Sequence, residues 1–294
     1  MKPILFKGCG TAISTPFTRE GINFEEFGKL IEFQIQEGVD SIIVCGTTGE
    51  SATMTDEEKK QLIKYTVDKV NKRIPVIAGT GSNNTSHAIE LSRYAESVGV
   101  DGLLIVTPYY NKTTQTGLIA HYTRIAKSVN IPIILYNVPS RTGVNITPET
   151  CLELSKIHNI VAIKEASGNI SQIAKTISLC NDNLYVYSGN DDQVVPILSL
   201  GGIGVISVLS NIEPKFVHNM VNDYLLGDTK KSTDSQLKAI PLIEALFSEV
   251  NPIPVKEALN IIGYNYGIPR LPLIELSDKG KEKLKTEMSK FRMI

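Results

Sequence analysis

The sequence predicts an α/β chain: a (β/α)8 TIM barrel carrying a C-terminal helical extension. Three observations predict it. Short β-rich runs recur about every thirty residues, the length of one strand–helix unit in a barrel of this kind. Helical patterns fill the gaps between the runs, and a crossover helix is what neighbouring parallel strands require. No G-x-G-x-x-G follows the first run, which disfavours an open dinucleotide-binding sheet. The alternative, an open sheet with a second helical domain, accounts less well for eight repeats.

The runs fall at 10–15, 41–45, 75–79, 102–107, 132–137, 160–164, 184–188 and 204–208. Most are short and apolar without alternation, as strands buried on both faces are. Between them, residues 23–37 carry Phe24, Phe27, Leu30, Ile31 and Ile35 near helical spacing. Residues 55–70 open with Thr55-Asp56-Glu57-Glu58, a capping box ahead of an apolar stripe. Further helices are expected at 85–98, 116–129, 147–158, 169–180 and 191–200, several of them starting with the Thr, Asn or Asp that N-caps prefer. From residue 228 the strand signal stops. Helices are expected at 236–249, 254–262 and 278–292, the first two separated by the Asn251-Pro252-Ile253-Pro254 turn. Residues 1–227 are therefore read as the barrel and 228–294 as a helical region packed on it.

Composition excludes several function classes. Apolar residues make up 42% and charged residues 21% of the 294, an ordinary globular balance. The formal net charge is −1 and no basic block stands out, so nucleic acid is not an expected partner. No run is long enough to span a membrane, and Met1-Lys2-Pro3-Ile4-Leu5-Phe6-Lys7-Gly8 lacks the apolar core of a signal peptide. Cys9, Cys45, Cys151 and Cys180 show no metal or disulfide spacing, and the four histidines are scattered, so no metal site is expected. The expected location is a reducing cytoplasm.

Chemistry in such a barrel sits at the C-terminal ends of the strands, and the unusual residues gather there. The second run is followed by Gly46-Thr47-Thr48-Gly49-Glu50-Ser51 and the third by Gly79-Thr80-Gly81-Ser82-Asn83-Asn84. The fourth ends in Thr107-Pro108-Tyr109-Tyr110-Asn111, the fifth in Tyr136-Asn137-Val138-Pro139-Ser140-Arg141-Thr142-Gly143, and the seventh in Ser188-Gly189-Asn190-Asp191. The sixth, Ile160-Val161-Ala162-Ile163-Lys164, ends in a lysine. Lys164 reads either as a strand cap that reaches water or pairs with Glu165, or as a buried amine able to attack a carbonyl. The Gly46–Gly49 stretch is either a tight turn or a set of free N–H groups for a carboxylate. Tyr109, Tyr110 and Tyr136 fit packing or interface roles, and Arg141 fits a surface loop or bidentate capture of a carboxylate. Glu165 reads as a structural partner. Lys256, at the start of a late helix, reads as a surface lysine.

The segments Gly46–Ser51, Tyr136–Gly143 and Ile163–Ala166 together resemble the signatures of the dihydrodipicolinate synthase family. That family belongs to the pyruvate-dependent class I aldolases, which also include N-acetylneuraminate lyase. The resemblance covers nearly the whole chain and implies the same barrel with helical C-terminal region. It implies a condensation of pyruvate with L-aspartate 4-semialdehyde, at the entry to diaminopimelate and lysine synthesis. Lys164 would form the imine with pyruvate, with no other cofactor, and Tyr136 would move protons. Thr47 would link Tyr136 to Tyr110 of a neighbouring subunit, and the Thr47-Thr48 backbone would hold the pyruvate carboxylate. Arg141 would hold the semialdehyde carboxylate, with Gly189 and Ile206 lining the pocket. A homotetramer built as a dimer of tight dimers is implied.

Other readings of the same residues remain. Another pyruvate aldolase, cleaving sialic acid or a keto-deoxy sugar acid, would be expected to carry a less charged loop at Arg141. A pyridoxal-phosphate enzyme would need a phosphate cradle after strands seven and eight, whereas Gly201 and Gly202 precede strand eight. A barrel that only binds metabolites should lack the lysine, the tyrosine or the arginine.

The resemblance extends to regulation. Ser51, Ala52, Asn83 and Tyr109 match residues that bind inhibitory lysine in some members. Two positions depart: Lys59 stands where those members have a histidine near the inhibitor's side-chain ammonium, and His87 where they have a glutamate for its α-ammonium. Asp56, one turn before Lys59, is placed to neutralise it in part. The expectation is a site that no longer responds to lysine.

Overall fold

The computed structural model describes residues 2–294. Eight parallel strands close into a barrel in sequence order: β1 (Gly8–Ala12), β2 (Ser41–Val44), β3 (Val76–Gly79), β4 (Gly102–Val106), β5 (Ile133–Asn137), β6 (Ile160–Glu165), β7 (Tyr185–Ser188) and β8 (Gly204–Ser207). Strand β8 closes the ring by pairing with β1, Gly8 opposite Gly204. Outside lie α1 (Phe24–Gln36), α2 (Asp56–Val70), α3 (Thr85–Ser97), α4 (Gln115–Ala126), α5 (Pro148–Ser155), α6 (Ile170–Cys180), α7 (Val194–Ser199) and α8 (Pro214–Leu225). The chain continues in α9 (Thr229–Leu246), α10 (Ile253–Ile261) and α11 (Asp278–Lys290), with α9 packed on α8 and α11.

Two apolar clusters hold this arrangement. One fills the space between strands and helices. The other fills the barrel interior with Phe6, Ile43, Ile77, Leu104, Ile134, Tyr187, Ile206 and their neighbours. Phe6 and Tyr187 stack with ring centroids 4.4 Å apart, and the Tyr187 hydroxyl donates to the Phe6 carbonyl at 2.6 Å. Both belong to the barrel-interior cluster, with Phe6 just ahead of β1. Lys2 donates to the carbonyls of Ser155, Ile157 and Ile160 and ties the leading segment beneath α5.

The helix starts follow the capping residues. Thr55 and Glu58 form the reciprocal capping box, and the side chains of Asn84, Thr114, Thr147, Asn169 and Ser277 each accept from an N–H of the first turn. Such a cap stabilises by about 1 kcal/mol. The expected boundaries differ where side chains act at long range. The first strand was expected over 10–15 but occupies Gly8–Ala12, because the β8 ladder recruits Gly8 and Cys9, weak strand formers by themselves. The helix expected from 191 begins at Val194 after a 3-10 turn, because the Asp191 carboxylate accepts from Val208 and Leu209 N–H instead of capping its own helix. Helix α9 starts at Thr229 rather than 236, capped by Asp228. A two-stranded hairpin, Phe17–Thr18 with Gly21–Ile22, had not been expected. Among the described residues, no helix is long and apolar enough to cross a membrane, and no cluster of three or more His, Cys, Asp or Glu could hold a metal.

Candidate active site

Lys164 sits in the last turn of pleat of β6, 5% exposed, paired in register with Tyr136 on β5 and Tyr187 on β7. Side chains alternate along a strand, so Lys164 and Glu165 face opposite ways. Glu165 is not the partner of Lys164: its two oxygens accept from Asn137 Nδ2 at 3.1 Å and Oε1 from Ser167 N at 2.8 Å. Burial pushes the Glu165 carboxyl above its ordinary value, with the bonds from Asn137 and Ser167 opposing the shift. The Lys164 ammonium lies over the face of Tyr136, 4.4 Å from the ring centroid. Tyr136 is 7% exposed and ends β5.

The turn after β2 is built on a close approach. Gly49 N and Glu50 N donate to the carbonyls of Gly46 and Thr47 at 3.1 Å each. Cys45 and Glu50 flank it at φ 56° and φ 54°, the left-handed region that non-glycine residues enter at a cost. Beneath it lies Gly79, where a Cβ would come within 2.2 Å of the Cys45 carbonyl oxygen. Among the described residues, the N–H groups of Thr47 and Thr48 find no protein acceptor. Three side chains from distant positions pin the turn: Thr15 Oγ1 donates to Gly49 O at 2.8 Å, Asn251 Nδ2 donates to Thr48 Oγ1 at 3.1 Å, and Lys256 pairs with Glu50. Thr47 and Tyr136 line the same small cleft with Gly46, Gly79 and Gly81.

Arg141 lies on a short helical turn, Pro139–Thr142, and is exposed. Its Nη2 donates to the Asn251 carbonyl at 3.2 Å. Gly189 follows β7; its N–H donates to Glu165 O at 2.7 Å, and a Cβ there would meet Ala166 Cβ at 2.8 Å. Ile206 is fully buried in the barrel interior beside Tyr136. The structure thus gathers Lys164, Tyr136, Thr47, Thr48, Gly189 and Ile206 at the C-terminal ends of the strands, with Arg141 on the rim. Tyr110 does not line their cleft: it is 92% exposed, at φ 69°.

The residues matched to regulation also come together. Ser51, Ala52, Lys59, His87 and Tyr109 line a cavity of about 400 Å³ that reaches Thr47 and Arg141. Asp56 bridges the two departures, 3.3 Å from Lys59 Nζ and 2.9 Å from His87 Nε2. Burial pushes its carboxyl up, but hydrogen bonds from His87 and Lys59 outweigh that and hold it below the ordinary value. Asn83 Nδ2 donates to Tyr109 O at 3.1 Å and fixes the tyrosine loop.

One expectation is corrected. Lys256 is not a surface lysine: its side chain is 1% exposed and its Nζ lies 2.5 Å from Glu50 Oε1, itself fully buried. Burial lowers the Lys256 pKa, with Glu50 opposing. The whole first turn of α10 is buried, so solvent is not available to the side chain. Asp191 was read as a strand end and as the start of the next helix, not as a buried carboxylate. It is buried, and burial pushes its carboxyl up against the opposing hydrogen bonds from Ser207, Leu209 and Val208 and the Lys164 charge. Its carbonyl accepts from Gln236 Nε2 of α9 at 2.8 Å.

Residues 5–291 match the model of the dihydrodipicolinate synthetase family. The chain is 60% identical over 291 residues to the 4-hydroxy-tetrahydrodipicolinate synthase of Thermoanaerobacter sp. (strain X514), covering 99% of this chain and 98% of that one. It is similar to the crystal structure of dihydrodipicolinate synthase from Thermotoga maritima, with TM-score 0.97, 43% identity, and 99% and 100% of the two chains covered. It is also similar to the enzyme of Cyanidioschyzon merolae crystallised with lysine bound, with TM-score 0.96, 38% identity and 99% of each chain covered.

Proposed function

The chain belongs to the dihydrodipicolinate synthetase family, and we propose that it condenses pyruvate with L-aspartate 4-semialdehyde to 4-hydroxy-tetrahydrodipicolinate through an imine on Lys164. The observation that carries this reading is the buried Lys164 with its Nζ 4.4 Å from the Tyr136 ring, beside a turn with two free N–H groups. The Lys164 amine adds to the C2 carbonyl of pyruvate and water leaves, giving an imine that withdraws electrons without a separate cofactor. Loss of a proton from C3 gives the enamine, and C3 bonds to the aldehyde carbon of the semialdehyde. The semialdehyde's own amino group then attacks C2, closing the ring and releasing Lys164. Tyr136 is the group placed to carry protons in these steps. The Thr47 and Thr48 N–H groups take the pyruvate carboxylate, Arg141 takes that of the semialdehyde, and Gly189 and Ile206 shape the wall. Holding both partners oriented converts their encounter into a local reaction.

Borohydride reduction in the presence of pyruvate should add one reduced pyruvoyl group, mapped to Lys164. Lys256 is the informative competitor, being buried with a lowered pKa but engaged by Glu50. Label on Lys256, or on no lysine, overturns the mechanism.

The exposed Tyr110 supports a self-associated enzyme in which a second subunit completes the Thr47–Tyr136 pair, within a homotetramer built from tight dimers. The four cysteines are buried and free, which suits a reducing cytoplasm.

The 400 Å³ cavity is proposed to have lost its response to lysine. A lysine ligand would meet the Lys59 ammonium and would compete with Lys59 and His87 for Asp56. Two unit charges 4 Å apart at an effective dielectric of 20 repel by about 4 kcal/mol, an upper bound for a solvated pocket. Half of that weakens binding roughly thirtyfold at 1.4 kcal/mol per decade. A lysine titration at saturating pyruvate should show little inhibition at millimolar concentrations, and half-inhibition below about 1 mM would refute the argument.

A further inference from the structure

The Glu50–Lys256 ion pair has no part in the chemistry above, yet it is the most deeply buried pair of opposite charges among the described residues. Taking two charges out of water costs several kcal/mol per ion, and a well-packed apolar pair often replaces such a bridge at no loss of stability. Both charges here are fully used. Glu50 Oε1 takes the Lys256 ammonium, and Oε2 takes the Arg270 N–H at 3.0 Å. The Lys256 Nζ also lies 3.5 Å from the Ile268 carbonyl and 4.4 Å from the centroid of the Phe17 ring. The guanidinium of Arg270 sits on the same ring at 4.0 Å and pairs with Glu58 at 2.6 Å.

The place of the pair gives it a use. Glu50 ends the turn that presents the Thr47 and Thr48 N–H groups, and it does so in a left-handed conformation matched by Cys45 at the other end. Such a turn persists only when its surroundings over-determine it. Of the side-chain ties that reach it from distant positions, two come from one short stretch, Asn251 and Lys256, on either side of the start of α10. The Asn251 carbonyl also takes Arg141. Residues 251–256 therefore touch both of the proposed carboxylate sites.

We propose that Glu50 and Lys256 are positioning residues for pyruvate: their ion pair sets the angle at which the Thr47-Thr48 turn meets the pyruvate carboxylate. The C-terminal helical region is on this view part of the construction of the active site. The inference rests on the functional reading above, in which that turn holds pyruvate.

The test uses the full chain with Glu50→Gln, Lys256→Met, the two combined, and Lys256→Arg. Glu58→Gln serves as control, since it loosens the same Arg270 segment while Glu58 itself makes no bond to the turn or to Lys256. Thermal midpoint, borohydride trapping across pyruvate concentrations, and KM for both substrates are measured on each. Glu50→Gln and Lys256→Arg are expected to raise the pyruvate half-saturation of trapping by about tenfold or more, one decade being 1.4 kcal/mol. The KM for the semialdehyde should stay within about twofold, well under one decade. The combined variant should recover much of the thermal midpoint yet keep the raised pyruvate requirement. Glu58→Gln should lower the midpoint with no shift in pyruvate half-saturation. If half-saturation stays at the wild-type value, or follows the thermal midpoint across all five variants, the pair is structural only and the proposal falls. Should the single variants fail to fold, the combined variant decides by the same readout. A wild-type chain that pyruvate does not label would instead overturn the functional reading, and this inference with it.

Discussion

Replacing Tyr136 by phenylalanine should cut turnover by roughly 10²–10⁴, the usual worth of a positioned acid–base group, with the fold intact. The two halves of that expectation have separate grounds. The ring is 7% exposed, lies in the barrel-interior cluster and faces the Lys164 ammonium at 4.4 Å. Phenylalanine keeps the ring, its packing and its cation–π contact. Only the hydroxyl is lost. Imine formation must protonate a departing hydroxyl, and enamine formation must take a proton from C3, so a missing proton carrier affects turnover more than binding. Steady-state kcat alongside circular dichroism checks it. The rate of borohydride trapping should fall with kcat, because trapping needs the same imine. Wild-type turnover in a folded Tyr136→Phe protein would remove the hydroxyl from the chemistry.

The fold was legible because its signals are local. A buried strand is a short apolar run, and a helix starts at a Thr, Asn or Ser whose side chain closes the first turn; both are written within a few residues of each other. Lys164 stood out for the same reason, as one charge ending the run Ile160–Ile163. Pairings across the chain leave no such trace. Glu50 and Lys256 are 206 positions apart, and each looks like a solvated helix or loop residue in its own neighbourhood. Lys256 reads as a surface lysine for that reason: its ammonium is buried against Glu50 and the Phe17 ring, which nothing near Lys256 encodes. Asp191 follows the same logic, since the amides it serves lie on the far side of α7. The start of β1 is a third case, where Gly8 and Cys9 become strand only through the ladder to β8. Tyr110 was legible as a site residue only through family resemblance, because its own chain leaves it in solvent.

Arg141→Ala should raise the KM for the semialdehyde far more than the KM for pyruvate. A hydrogen bond to a charged partner is worth roughly 1.5–3 kcal/mol, which is about ten- to a hundredfold at 1.4 kcal/mol per decade. Arg141 is exposed on the rim, lines the cavity and donates through Nη2 to the Asn251 carbonyl, which leaves its other guanidinium donors without a protein acceptor among the described residues. The turn that would hold pyruvate does not depend on it. Thr48 keeps its bond from Asn251 Nδ2, Gly49 its bond from Thr15, and Glu50 its partner Lys256 when Arg141 is removed. Pyruvate half-saturation in the trapping experiment should therefore stay close to that of the unmodified chain. Arg141→Lys separates charge from geometry: an ammonium restores the attraction but not the planar fork that meets a carboxylate at two points, so its KM should fall between the other two. Equal effects on both substrates would assign Arg141 to the loop instead of the substrate.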